Sequence, residues 1–100
     1  MENNAYKQIN MKINGKNLVI PEKLTFAQVM ECEDRGLGLE EMQTKPFKAI
    51  TIIYSVLVNK TFEESVEELE KAFDDGELEP TDALTHLLPL YTNFLVRRSK

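Results

Sequence analysis

The sequence predicts an α+β domain, mostly α: an N-terminal β-hairpin followed by four or five short helices in a small bundle. Three observations predict it. Asn14-Gly15 lies between two short runs of alternating apolar residues. Thr25-Phe26-Ala27-Gln28 and Thr61-Phe62-Glu63-Glu64 each have the form of a helix-capping box. The stretch from Thr61 to Glu79 carries Phe62, Val66, Leu69 and Phe73 at spacings of four, three and four, with Glu or Asp at most other positions. Those spacings place the four apolar side chains on one helical face. One hundred residues hold one core, so positions 1–100 are expected to form a single domain.

The elements follow in order. Tyr6, Ile9, Met11 and Ile13 alternate in part, and Leu18 and Ile20 resume the pattern before Pro21. Asn and Gly both accept the positive φ of a type I′ turn, so a hairpin over 6–20 is expected. A lone hairpin is marginal in water and needs helices to pack on. Thr25 as N-cap and Gln28 at N3 open a helix over 25–35, with Leu24 and Val29 placed as a hydrophobic staple and Gly36 as its stop. Phe26, Val29 and Met30 are expected to point inward. Leu37-Gly38-Leu39 is a tight connector, Glu40–Gln43 can form one helical turn, and Leu37, Leu39 and Met42 are expected beneath it. Pro46 suits the first position of a helix over 46–58, which is apolar nearly all round. Its many β-branched residues would also suit a strand, but its length, Pro46 and the following cap favour a helix. Such a helix is either the centre of the core or partly covered by another chain. Thr61 and Glu64 open the acidic helix over 61–74, and Asp74-Asp75-Gly76 makes a turn. Pro80 starts a last helix over 80–97, with Leu84, Leu87, Leu88, Tyr91 and Leu95 on one face. Pro89 lies within it, so the helix is either kinked or divided there.

Composition narrows the function. The net charge is −5, with acidity concentrated in 31–41 and 63–82, while Lys7, Lys12, Lys16, Lys23 and the terminal Arg97-Arg98-Ser99-Lys100 carry basic charge. Glu63, Glu64, Glu67, Glu68 and Glu70 crowd one helix, with Lys71 as its one basic residue. A surface of that kind repels phosphate, so neither nucleic acid nor an anionic membrane is expected as a partner. The uneven charge suits head-to-tail contact between copies or complementary contact with another protein. Cys32 has no second cysteine to pair with, and the first ten residues are polar, which points to a cytoplasmic protein without a signal peptide. The apolar-rich run Ala49–Val58 falls well short of the ~20 residues that span a bilayer.

No catalytic, metal or cofactor constellation emerges. His86 is the one histidine; a zinc site needs several such ligands, and a general base needs a nucleophile and an orienting partner that Thr85 and Asp82 do not convincingly supply. The acidic neighbours Glu31, Glu33 and Asp34 would dull Cys32, which reads as a buried structural thiol. The carboxylates of the acidic helix lack the Glu-x-x-His pairs of di-iron bundles, and Asp74-Asp75-Gly76-Glu77 lacks the alternating ligands of an EF-hand. Gly36 and Gly38 form no phosphate-cradling loop. The chain is therefore expected not to be an enzyme and to bind no cofactor. Two features remain: surplus apolar area in the third and last helices, and a hairpin edge open to strand addition.

The layout resembles the tail assembly chaperones of long-tailed, siphophage-type bacteriophages and prophages. The likeness begins with Met11-Lys12-Ile13-Asn14-Gly15-Lys16 and Leu24-Thr25-Phe26. It continues through Gly36-Leu37-Gly38-Leu39-Glu40-Glu41-Met42, similar to a recurrent Gly-Leu/Ile-Ser-Leu-Glu-Glu-Leu connector. Pro46 then starts an apolar helix, and Lys60-Thr61-Phe62-Glu63-Glu64-Ser65-Val66-Glu67-Glu68-Leu69 looks like that family's acidic helix. It spans positions 11 to about 79; Pro89 and the basic tail have no counterpart in it. The resemblance implies a small, mostly helical host-cytoplasmic protein that coats the tape measure protein, recruits tail tube subunits and is absent from the finished virion. It implies no catalytic residues. Protein contacts are expected from Phe47, Ile50, Tyr54, Leu57, Leu87, Tyr91 and Phe94, with self-association as a further expectation. The rival reading is an acidic inhibitory or regulatory protein that covers a basic protein surface.

Overall fold

The computed structural model describes residues 9–96. Among them the chain forms an antiparallel hairpin, β1 (Ile9–Ile13) and β2 (Lys16–Ile20), followed by five helices. These are α1 (Phe26–Asp34), α2 (Leu39–Thr44), α3 (Pro46–Val58), α4 (Phe62–Asp74) and α5 (Pro80–Leu95). The α+β, mostly helical class expected from the sequence is the one observed. Tyr6–Gln8 of the expected first strand, and the basic tail from Arg97, lie outside the described residues.

Asn14 and Gly15 take φ values of 55° and 80°, so both central residues of the turn occupy the left-handed region, as a type I′ turn requires. Ile9 then faces Ile20, Met11 faces Leu18 and Ile13 faces Lys16. Met11, Ile13 and Ile20 are buried, and a slip of one residue would turn all three to solvent. The hairpin tip is held from the far side of the chain. The Glu77 carboxylate accepts the Asn14 backbone N–H at 2.5 Å and that of Gly15 at 2.7 Å. The hairpin thereby gains a fixed seat beside α4, against which β1 lies.

Both capping boxes form. Thr25 and Gln28 exchange side-chain-to-backbone hydrogen bonds at 2.9 and 3.1 Å, and Thr61 and Glu64 do so at 3.0 and 3.1 Å. Each exchange satisfies two N–H groups that the first helical turn would otherwise leave without partners. Gly36, with φ of 100°, lies beyond α1, and the Leu37 N–H returns to the Cys32 carbonyl at 3.0 Å.

α3 is the centre of the core, packed on α1, α2, α4 and α5. Ala49, Ile50, Ile52, Ile53, Tyr54 and Ser55 are all buried along it, which accounts for its nearly all-round apolar character. Ser55 is accommodated there because its hydroxyl donates to the Ile52 carbonyl at 2.6 Å and accepts from Arg35 Nη1 at 2.9 Å. The same Arg35 nitrogen donates to the Lys60 carbonyl at 2.6 Å, so one guanidinium ties α1 to the end of α3 and the loop beyond it.

Two expectations are corrected, for α1 and α2, and the buried face of α4 is located. In α1, Val29 and Cys32 face the core while Phe26 and Met30 are exposed. Residues 29 and 32 lie three apart on one face; 26 and 30 lie four apart on another, and a nine-residue helix cannot bury both. In the α2 region Leu37 is buried and Met42 half-buried, but Leu39 is exposed. In α4 the inward face is Ser65, Leu69 and Ala72, with Phe62 and Phe73 half-buried beside it and Val66 exposed. Ser65 and Ala72 share the buried side of α4 with Leu69, which leaves Val66 at the outer edge of the stripe. α5 settles the alternative left open at Pro89: the helix runs unbroken from Pro80 to Leu95. Pro89 removes one donor to the Thr85 carbonyl, but Thr85 is exposed, so water can take that donor's place.

Candidate functional site

Among the described residues no group of three or more His, Cys, Asp or Glu side chains is placed to hold a metal ion. His86 is half-buried on α5, and the neighbouring Thr85 hydroxyl donates to the Thr81 carbonyl at 2.9 Å. Cys32 is fully buried, and burial pushes its thiol up to about 11 against the opposing pull of Arg35. Burial, more than the acidic neighbours, is what quiets it.

Of the seven residues expected to make protein contacts, Ile50, Tyr54, Leu87 and Tyr91 are core residues, each at most 3% exposed. They belong to the buried core and leave almost no surface for a partner. Leu57 and Phe94 are partly buried against the same core, and Phe47 is exposed at the start of α3. The expected cluster is therefore mostly core, with Phe47 exposed and Phe94 half-buried against it.

The surface patch that does form is built by the other face of α1. Phe26 is 64% exposed and Met30, one turn on, is 46% exposed. The Phe94 ring stacks on Phe26 with centroids 6.0 Å apart and planes 10° from parallel. Two hydrogen bonds bring the rings together. The Leu24 N–H donates to the Leu90 carbonyl at 3.1 Å, and Asn93 Nδ2 donates to the Glu22 carbonyl at 3.0 Å. Leu95 and Val96, both about half-exposed, follow Phe94 directly. The signal that could have located this patch is the apolar i,i+4 pair Phe26/Met30 on a short helix already supplied with an inward face by Leu24, Val29 and Cys32.

A second feature lies between the hairpin and the α3–α4 pair: a groove of about 260 Å³ lined by apolar Ile13, Leu18 and Val58 and by Lys16, Lys60 and Glu68. The Tyr54 hydroxyl donates to Glu68 Oε1 at 2.6 Å, and Lys60 Nζ pairs with Glu68 Oε2. Burial opposes the Glu68 charge, but the Lys60 and Tyr54 hydrogen bonds outweigh it and hold the carboxyl below its ordinary range. Burial and then the adjacent carboxylate push the Tyr54 phenol well above its ordinary value. Glu68 is thus a bonded member of the groove and not part of the solvated acidic face. That face consists of Glu63, Glu64, Glu67 and Glu70, all exposed, with Lys71 bridging to Asp75 at 3.4 Å. Among the described residues, no helix is long and apolar enough to cross a membrane. No protein-family model matches the chain, and no curated protein or solved structure is significantly similar to it.

Proposed function

We propose that this chain is a non-catalytic binding module acting as a tail assembly chaperone of long-tailed phages or prophages, engaging the tape measure protein and tail tube subunits in the host cytoplasm while the tail is built. The observation that carries the reading is the stacked Phe26–Phe94 pair with Met30, a strip of large apolar side chains outside a core that is already filled. Contiguous exposed apolar area is a mark of protein contact, and aromatic side chains are favoured anchors there. The resemblance over positions 11–79 supplies the identity of the partners, and the acidic α4 face would keep such a coat dispersed and away from phosphate.

The test is co-expression with the tape measure protein of the same phage. The native chain should keep it in solution and co-purify with it, whereas Phe26→Asp and Phe94→Asp should lose the complex while remaining folded. Recovery of the protein as an abundant component of purified virions would overturn the reading. One observation favours the rival, an acidic inhibitory protein: Glu63, Glu67, Glu70 and Asp74 follow one another at spacings of four, three and four, all exposed. Lys at 63, 67 and 70 should abolish binding to a basic partner in a salt-sensitive way and leave an apolar chaperone contact nearly intact.

A further inference from the structure

Two hydrogen bonds join the hairpin tip to a residue more than sixty positions away. Glu77 Oε1 accepts the Asn14 N–H at 2.5 Å, and Glu77 Oε2 accepts the Gly15 N–H at 2.7 Å. Each donor thus has a carboxylate oxygen to itself, and bonds to an ionised acceptor are roughly twice as strong as neutral ones. Glu77 is itself fixed to the helical part of the chain. Its N–H donates to the Ala72 carbonyl at 3.0 Å, and that of buried Leu78 donates to the same oxygen at 3.2 Å. The acceptor therefore stays with α4 while the donors ride on the hairpin. The groove of about 260 Å³ has one wall on each part: Ile13, Asn14 and Leu18 on the hairpin, and Tyr54, Val58 and Glu68 on the helices. The helices keep a core of their own, because α3 packs on α1, α2, α4 and α5, and Ile52, Ile53, Leu87 and Leu90 are buried on α3 and α5. Just beyond β2 the chain is pinned again. The Glu22 carbonyl accepts from Asn93 Nδ2 at 3.0 Å, and the Leu24 N–H donates to the Leu90 carbonyl at 3.1 Å.

We propose that the hairpin is a lid over this groove, that it opens as a unit about the junction at residues 21–22, and that Glu77 is the latch holding it shut. Opening carries Met11, Ile13 and Ile20 out of the core and parts the two walls of the groove. It gives up those three side chains and the two latch bonds but leaves the helices packed around α3. A segment that can leave without dismantling the rest opens at a free energy below that of global unfolding. A detached hairpin is marginal in water, so its cross-strand amides exchange with solvent once the lid is open. Both latch donors are backbone groups, which leaves the side chain at 77 as the one that sets the latch strength.

Lid opening belongs to the free chain, so its test needs no partner and is independent of the function proposed above. The experiment is amide hydrogen exchange of the full chain by NMR, at urea concentrations below the unfolding midpoint. The cross-strand amides of β1 and β2 should share one level of protection, roughly tenfold or more below the best-protected α3 amides, and should depend less on urea. Glu77→Gln keeps the size of the side chain but leaves one acceptor oxygen for two donors. It should lower hairpin protection about tenfold, the loss expected for one charge-assisted bond. Glu79→Gln, an exposed carboxylate two residues on, should leave the hairpin as it is. Ile52→Val separates the lid from the body. Ile52 is fully buried on α3 and lies two residues, about 200° around the helix, from the groove residue Tyr54. Its truncation should lower α3 protection about tenfold and leave hairpin protection unchanged, because the contact it weakens survives lid opening. A hairpin as protected and as urea-sensitive as α3 in the native chain would overturn the proposal. So would Ile52→Val lowering both sets alike, Glu77→Gln leaving the hairpin unchanged, or Glu79→Gln loosening it as much as Glu77→Gln does. The native and Ile52→Val measurements decide the matter even if Glu77→Gln fails to fold.

Discussion

Replacing Leu87 by alanine separates a core role from a contact role, because the sequence alone placed this residue on an interaction surface and the fold places it at 0% exposure in the α3–α5 seam. Truncating a fully buried leucine removes its transfer free energy and leaves a cavity that neighbours only partly fill, a loss of about 2–5 kcal/mol. The upper half of that range applies here, because Leu87 is fully buried on a helix packed against α3, within a core of other buried side chains. A domain of this length has a total stability of roughly 5–15 kcal/mol, so one substitution should remove a large fraction of it. In urea, with a slope of about 1–3 kcal/mol per molar, the midpoint should fall by roughly 1–5 M with the slope unchanged. Phe94→Ala, at the exposed margin of the same helix, should cost distinctly less stability and more binding. A Leu87→Ala midpoint within ~0.3 M of the native one, together with lost partner binding, would refute the assignment of Leu87 to the core.

Other outcomes follow from the same geometry. Despite burial, the Glu68 carboxyl is held below its ordinary value of about 4.5 in the folded chain by the Lys60 and Tyr54 hydrogen bonds. The unfolded state therefore binds more protons just below that pH, and the stability Glu68 contributes is present above about 4.5 and lost as pH falls through the folded value. The acid limb of a stability–pH curve should accordingly be shallower for Glu68→Gln, and an unchanged limb would refute the Lys60–Glu68–Tyr54 linkage. Thr61→Ala breaks the reciprocal cap of α4 and should cost about 1 kcal/mol in chemical denaturation, whereas a neutral effect would mean the cap is not formed in solution. Cys32, buried with its thiol raised to about 11, should resist a maleimide at pH 8 in the native chain and react once urea unfolds it; rapid native labelling would contradict its burial.

The sequence by itself determined the features whose chemistry closes within a few residues. Asn14-Gly15 meets the positive-φ demand of a two-residue turn, and Thr25/Gln28 and Thr61/Glu64 complete their hydrogen bonds across three residues. Pro46 and Pro80 open helices where no N–H donor is needed, and Gly36 lies in the left-handed region beyond α1. None of these depends on what lies elsewhere in the chain, so they could be read directly. Only the tertiary structure decided which face of each helix turns inward, because that depends on the partner a distant segment supplies. α1 had two apolar faces and buried the one carrying Val29 and Cys32, leaving Phe26 for Phe94 to stack on. α4 turned Ser65, Leu69 and Ala72 inward and left Val66 exposed, so its buried face is offset from the stripe of large side chains. The contact residues moved for the same reason. The core absorbed Ile50, Tyr54, Leu87 and Tyr91, and the apolar surface left exposed became the one that the core did not need.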